Sequence, residues 1–247
     1  MINKILTKKN LHSHIDLLLI LSLLLAAVVL FYPNLGTLPL RDWDEGIVAQ
    51  VAREISREKW NWLYPTINDT PYFNKPPLIH WSIAFVYSIA GVNELTARLF
   101  PALLTAFSVP LIYGVGRELF RPRTPAIFTA LVYLTLLPVV RHGRLAMLDG
   151  AVVCFFLLMI WCVLRSRHNL RYSLAIGISF ALVSLSKGII LGLLLGVIAF
   201  LFLWWDTPRL LSSKYFWSGI LLGMLPVFLW YTAQFFHYGV EFFYANF

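Results

Sequence analysis

The sequence predicts an all-α integral membrane protein of about seven transmembrane helices, with amphipathic juxtamembrane helices in a large first extracytoplasmic loop. Three observations predict it. Of 247 residues, 59% are hydrophobic and only 13% charged, where soluble domains carry about 25% charged residues, and the mean hydropathy is +0.73. The apolar residues fall in long, continuous, Leu-rich runs, of the length that crosses roughly 30 Å of hydrocarbon. The runs also lack the short alternating segments of a closed β-barrel, the other fold that satisfies backbone polar groups in lipid.

The runs occupy residues 17–32, 99–116, 124–140, 150–164, 172–186, 188–205 and 215–236. The first follows Lys4, Lys8 and Lys9 as the core of a signal peptide would, but no small-x-small cleavage site comes after it, so it reads as a retained signal anchor. An eighth stretch, 77–90, is short, opens with two prolines and carries His80. It suits a helix lying at the interface better than one that crosses.

With 77–90 not crossing and the amino terminus in the cytoplasm, the inside segments hold Lys4, Lys8, Lys9, Arg117, Arg121, Arg123, Arg165, Arg167, Arg171, Arg209 and Lys214. The short outside segments hold only Arg141, Arg144 and Lys187, a clear positive-inside pattern that would reverse if 77–90 crossed. Residues 34–98 then form the extracytoplasmic loop, with Asp42, Asp44, Glu45, Glu54, Glu58, Asp69 and Glu94, more than half of the 12 acidic residues. Arg141, Arg144, Asp149 and Lys187 fall at helix ends on that same side. The net charge of +8 is scattered between apolar runs, which excludes nucleic acid as a partner. Cys154 and Cys162, two helical turns apart in one apolar run, read as buried thiols.

Within the loop, DWDEGIVAQVAREISR reads as an amphipathic helix on the membrane surface, with Ile47, Val48, Val51, Ala52 and Ile55 at helical spacing and Asp42 or Asp44 as its N-cap. Asp44 lies three and four residues before Ile47 and Val48, which places it on the apolar stripe, where partial desolvation suits a general base. Glu45 beside it reads as a first-turn acid favoured by the helix dipole. Asp149, a turn inside an apolar span, is a functional candidate by default, its bland alternative being a cap or an ion pair with Arg144. Lys75 precedes Pro76 and Pro77, which keep the preceding backbone extended and fix where the amine points. Lys187 is either a snorkelling anchor or, with Lys75, Arg141 and Arg144, a phosphate ligand. His80 and His142 have no partner at metal-ligand spacing. Trp43, Trp60, Trp62, Tyr64, Tyr72, Phe73 and Trp81 crowd the loop as an interfacial belt or a sugar-stacking platform.

The order of DWDEGIVAQVAREI, then W-x-x-P, PYFNKPPLIHW, GVNELTARLFPAL, RLAMLDG and SKG resembles the polyprenyl-phosphate-dependent glycosyltransferases of the C-type (GT-C) superfamily, in particular the lipid A aminoarabinose transferases and the protein O-mannosyltransferase-like enzymes. The resemblance implies a GT-C-like fold in the plasma (inner) membrane, with an extracytoplasmic active site. It implies transfer of a sugar from a polyprenyl-phosphate donor to a lipid, glycan or protein acceptor, amid membrane lipids. By motif position it makes Asp44 the catalytic aspartate with Glu45 beside it and Asp149 a second acid, and Lys75 a ligand of the donor phosphate, with Lys187 and Arg144 placed to help. Relatives often carry an acidic residue before that lysine, implicated in a divalent metal site, and an arginine three residues after the aspartate. Here these are Asn74 and Ile47, which leaves metal dependence and the aminoarabinose substrate open and names no certain cofactor.

Family members usually continue through further spans, so residues 1–247 are expected to be an incomplete, N-terminal part of a single glycosyltransferase domain, a truncated product or half of a split enzyme. The rivals are a non-catalytic membrane subunit and a transporter, which calls for mid-depth charges and an internal repeat that the sequence does not show. The topology is checked by cysteine-accessibility labelling: replacements at Asp69 and Thr70 are expected to label from outside, and those at Arg123 and Ser166 from inside. Labelling of positions 70 and 123 from one side would overturn it.

Overall fold

The computed structural model describes residues 2–57 and 62–246. Glu58 and Trp60 lie outside the described residues, as do the side chains of Lys4, Lys8 and Lys9. Helix α1 (Ile2–Phe31) leads through a short loop into a π-helical turn (Asp42–Gly46) and α2 (Ile47–Arg57). A minimal hairpin, β1 (Thr66–Ile67) and β2 (Thr70–Pro71), pairs Ile67 with Thr70 and precedes α3 (Leu78–Ala90). The bundle continues with α4 (Glu94–Leu119), α5 (Arg123–Thr135), α6 (Leu137–His142), α7 (Asp149–Arg165), α8 (Leu174–Lys187), α9 (Ile189–Asp206), α10 (Lys214–Tyr238) and α11 (Val240–Asn246).

Four of these helices are long and apolar enough to cross a membrane: His14–Phe31 within α1, then α4, α9 and α10. The run 124–140 does not form one helix. It breaks at Leu136, which adopts an extended conformation with Pro138 just beyond, and gives α5 and the short α6. The apolar α7 and α8 have 17 and 14 residues. Helix α3 buries Ile79, His80, Ile83 and Tyr87 in a cluster shared with α2, α4 and α7 and leaves Phe85 and Ile89 outward. Its successor α4 starts where Asn93 closes a capping box: the Asn93 side chain accepts from the Thr96 amide at 2.9 Å, and the Thr96 hydroxyl accepts from the Asn93 amide at 3.0 Å.

Polar contacts between helices gather at two opposite ends of the bundle. At one end Asp16 accepts from Arg117 and Arg123, Arg165 donates to Glu118, and Arg167 pairs with Asp206. At the other, Tyr32 donates to the Leu99 carbonyl, Lys187 meets Asp149, and Gln234 donates to the Leu63 carbonyl. This second end carries residues 34–57 and 62–93 and is called the loop face below. The arginines counted above as a cytoplasmic set belong to the first end. Ser166 there is buried, so of the two labelling positions at that end only Arg123 is open to reagent.

Residues 62–87 are tied down onto the loop face. Glu54 of α2 accepts from the Thr66 hydroxyl at 2.6 Å, the Asn68 amide at 2.7 Å and Gln50 at 2.9 Å. Burial alone would raise its proton affinity, but these donors outweigh that and hold its carboxyl below the usual range. Phe73 packs edge-on against Tyr238 and Phe242, which fastens the segment before Lys75 to the end of α10.

Helices α8 and α10 approach through glycine. A Cβ on Gly177 would lie 1.9 Å from the Gly219 carbonyl oxygen, and one on Gly223 would lie 1.9 Å from that of Gly177. The pair 219 and 223 has the small-x-x-x-small spacing by which helices pack in lipid, where close van der Waals contact replaces the hydrophobic drive. Gly223→Val therefore has to push α8 and α10 apart, and it is expected to destabilise the fold by about 1–3 kcal/mol or more. Thermal unfolding in detergent reads this, and an unchanged midpoint would show that the two helices do not need this contact.

Candidate active site

The loop face is organised by one buried carboxylate. Glu45 is fully buried, and its Oε1 accepts from Arg98 Nε at 2.7 Å and from the Ala146 amide at 2.8 Å. Its Oε2 accepts from Arg98 Nη2 at 2.7 Å and from the Arg41 amide at 3.2 Å. Arg98, in the first turns of α4, is equally committed, since it also donates to the carbonyls of Leu35 and Leu38 at 2.8 Å and of Pro39 at 2.9 Å. All five N–H groups of the guanidinium are used. One ion pair thus joins the 35–39 loop, the turn before α2, helix α4 and the segment before α7. Burial would raise the Glu45 proton affinity, but the Arg98 hydrogen bonds, the Ala146 amide and the Arg98 charge together bring it below the usual carboxylate range.

This arrangement corrects the expectation for Asp44. The chain enters α2 through a π-helical turn in which the Gly46 amide donates to the Arg41 carbonyl at 2.8 Å. The wider turn holds one residue more than an α-turn, so counting back from Ile47 at α-helical spacing lands one place off. Glu45 takes the buried position, and Asp44 is exposed. Neither Asp42 nor Asp44 caps the helix; Arg41 stands at its start without a side-chain cap. Glu45 is a buried anchor here, beyond the first-turn dipole partner that its position suggests.

Asp149 is the first residue of α7, not a turn inside it, and it is exposed. Its partner is Lys187 at the end of α8, not Arg144. Lys187 ends its helix because Gly188 follows at φ +124°, a conformation that side chains other than glycine rarely adopt. Lys75 and Lys187 line one cavity of about 410 Å³ together with Asn74, Gly188 and Tyr231. The Tyr231 hydroxyl accepts from the Ile189 amide at 3.1 Å, which sets the mouth of α9 against α10.

Arg144 is elsewhere. It lines a separate cavity of about 290 Å³ with Arg41, Glu45, Arg98 and Arg141, and its Nη2 donates to the Pro33 carbonyl. The structure thus brings the two lysines together and leaves the arginines apart from them. Among the described residues no three His, Cys, Asp or Glu side chains gather as a metal ion requires. The cavity at Lys75 offers an amide, two amines and the Tyr231 hydroxyl, with no carboxylate among its lining residues, a set that does not fit a divalent cation, so no chemical step is routed through one. His80 is fully buried, with Nδ1 3.2 Å from the Pro76 carbonyl oxygen, and burial lowers its pKa to about 4. It backs the turn that carries Lys75. Sequence reasoning missed Arg98 and Glu54; an arginine set within the apolar start of α4 was the available signal for the first.

A helical bundle with apolar flanks and its polar contacts gathered at two ends is that of an integral membrane protein. ArnT from Cupriavidus metallidurans bound to undecaprenyl phosphate has the same fold, with a TM-score of 0.75 over 88% of this chain and 41% of that one, at 21% identity. Its apo form gives 0.74 at 23% identity. The class is therefore an all-α fold shared with that protein. Residues 74–231 match the family of dolichyl-phosphate-mannose-protein mannosyltransferases, more than half of the chain, and the chain belongs to that family. It is similar to an undecaprenyl phosphate-alpha-4-amino-4-deoxy-L-arabinose arabinosyl transferase of Shewanella sediminis, 32% identical over 225 residues that cover 85% of this chain and 40% of the relative. An uncharacterized protein of Aquifex aeolicus is 26% identical over 90% of this chain and 45% of its own length. The chain spans less than half the length of these curated relatives.

Removing one partner of a buried pair strands the other charge, at about 3–5 kcal/mol. Arg98→Ala is expected to unfold the loop face at that scale, and so is Glu45→Gln, whose carboxamide keeps one acceptor oxygen, turns an NH2 toward donors and leaves the Arg98 charge unpaired. Because the Glu45 carboxyl is held below its ordinary range in the fold, its stabilisation is complete above that range and is lost as pH falls through the lowered value. Wild-type unfolding midpoints should drop on acidification, and those of Glu45→Gln should drop less. Parallel pH curves for the two would overturn this assignment.

Proposed function

We propose that this chain forms part of a membrane glycosyltransferase that moves a sugar from a polyprenyl-phosphate donor to a lipid, glycan or protein acceptor. The single observation that carries this reading is the cavity shared by Lys75 and Lys187, two amines from distant parts of the chain that meet beside Asp149. Undecaprenyl phosphate bound to a protein of the same fold supports the choice of donor. In this reading residues 34–98 are extracytoplasmic, the amino terminus is cytoplasmic, the membrane is the inner one, and α5 with α6, α7 and α8 cross along with the four longer helices. The separation of polar contacts onto two ends of the bundle supports that topology.

The chemistry follows from the charges. The acceptor hydroxyl gives its proton to the Asp44 carboxylate while its oxygen bonds to the anomeric carbon, and the bond from that carbon to the phosphate oxygen breaks with inversion. The leaving group is a phosphate monoester anion, which needs no general acid because Lys75 and Lys187 stabilise it electrostatically. Asp44 has the exposure to meet an acceptor, and Glu45, whose oxygens are already taken by four donors, keeps the turn beneath it fixed. Lys187 is held by Asp149 through an exposed contact, a kind worth about 0–1 kcal/mol, so it exchanges readily for a donor phosphate.

Three variants of the protein test this with undecaprenyl-phosphate sugars. Asp44→Asn is expected to lower transfer by about two to four orders of magnitude with donor binding kept. Lys75→Ala is expected to weaken undecaprenyl phosphate binding by roughly ten- to a hundredfold, since a hydrogen bond to a charged group contributes about 1.5–3 kcal/mol. Lys75→Arg should restore it in part, a planar fork replacing a point charge. Full turnover by Asp44→Asn would move the base elsewhere, and equal binding by Lys75→Ala would remove Lys75 from the site.

A further inference from the structure

Helices α9 and α10 both pack on α8 but scarcely meet each other. Between them runs a groove of about 230 Å³, floored by Met159 of α7 and Phe180 of α8 and walled by Leu203 of α9 and by Phe216 and Met224 of α10. No polar side chain lines it. Gly196 opens its α9 wall, where a Cβ would press on the Phe180 ring at 3.1 Å. The groove shares no residue with the lysine cavity and lies mostly in the half of the bundle opposite the loop face, from Leu193 to Leu203 along α9 and from Met224 to Phe216 along α10. About ten residues of helix rise about 15 Å, half of the roughly 30 Å of hydrocarbon. The groove is therefore one leaflet deep. That is the reach of a single lipid chain, whereas a partner's transmembrane helix would need a seat along the full length of both walls.

The groove ends among cations. Phe216 follows Lys214, the first residue of α10, by two positions, and Leu203 comes just before the turn Pro208–Ser212 that carries Arg209. The turn Leu170–Ser173, which holds Arg171, packs against α10. All three basic residues are exposed. Arg209 donates to the Arg167 carbonyl at 2.8 Å, and the Lys214 ammonium lies 5.7 Å from the centroid of the Tyr215 ring. The acid of this corner, Asp206, is already taken by Arg167 and the Thr207 hydroxyl. Trp205 and Trp217 beside them are 84% and 57% exposed, the aromatic signature of a membrane–water boundary, so these charges stand at head-group depth. We propose that the groove seats one acyl chain of an anionic phospholipid from the leaflet opposite the loop face, with the head group lying among Arg171, Arg209 and Lys214.

The test titrates the detergent-solubilised protein with phosphatidylglycerol or with phosphatidylcholine of the same acyl chains, and native mass spectrometry counts the bound lipids. Each basic residue near an anionic head group is worth about fivefold in affinity, so one phosphatidylglycerol is expected to bind at least about tenfold more tightly than phosphatidylcholine. The triple variant Arg171→Gln, Arg209→Gln, Lys214→Gln changes exposed side chains and is expected to bind the two lipids equally, with its unfolding midpoint unchanged. Val197 lines the groove and is 54% exposed, so Val197→Trp fills the space from the lipid side and should weaken both lipids about tenfold. Leu193→Trp, at a position 51% exposed, repeats this at the mid-membrane end. Equal wild-type affinity for the two lipids, a preference kept by the triple variant, or wild-type lipid binding in both tryptophan variants would overturn the proposal. So would a wild-type dimer that binds neither lipid and that the tryptophan variants dissociate, which would make the groove a contact between copies. Loss of undecaprenyl phosphate in place of phosphatidylglycerol in those variants would give the groove to the donor's chain and overturn it as well.

Discussion

The loop face depends on the buried pair of Glu45 and Arg98. Taking two charges out of water is expensive, and the cost is offset only when geometry is good and every remaining donor and acceptor is filled. Here the filling is complete: a two-point contact between guanidinium and carboxylate, three carbonyls on the arginine, and two amides on the glutamate. Those extra partners come from segments with little structure of their own. Residues 35–39 form no helix or strand, and residues 143–148 are a tight connection between α6 and α7. Polar backbone in such loops must be satisfied by something, and one arginine and one glutamate do it for both, which fixes where Asp44 projects and where α7 begins.

From there the lysine cavity follows. Its walls come from the Asn74–Lys75 turn, the break between α8 and α9, and Tyr231 of α10. None of these is local to another, so the cavity depends on the pinning of segment 62–77 by Gln234 at Leu63, by Glu54 at the hairpin, by Phe73 against α10 and α11, and by His80 beneath the Pro76 carbonyl. The glycine contact between α8 and α10 brings Lys187 and Tyr231 to the same mouth. A site assembled this way needs no rigid element of its own under each ligand.

Much of this was legible in the sequence, and the failures have physical causes. Apolar runs predicted the helices because lipid leaves the backbone no alternative, and the surface helix after Gly46 was read from its stripe. The division of 124–140 was missed although Pro138 stood in it, because hydropathy alone does not register a chain break. Asp44 was placed on the buried stripe because spacing arguments assume 3.6 residues per turn, and the π-helical turn at Asp42–Gly46 does not keep that count. The bland alternative for Asp149, a cap or an ion pair with nearby Arg144, gives way to a partner from a helix end 38 residues away. Arg98 was passed over because one arginine in an apolar helix looks like an interfacial anchor until its five acceptors are visible.

The two ion pairs of the loop face among the described residues differ in burial, and that difference divides their work. The Arg98 and Glu45 side chains are 5% and 0% exposed, so separating them would leave two desolvated charges and the pair behaves as fixed structure. The Lys187 and Asp149 side chains are 31% and 53% exposed, so water stands ready to replace either partner and the pair behaves as a contact that can be exchanged. A phosphate arriving at Lys187 therefore displaces a weak bond without disturbing the strong one. The same reasoning separates the arginines, because Arg98 is spent on the fold whereas Arg41 and Arg141 remain at the surface with their charge available. Burial, more than residue type, decides which charges on this face hold the structure and which can meet a ligand.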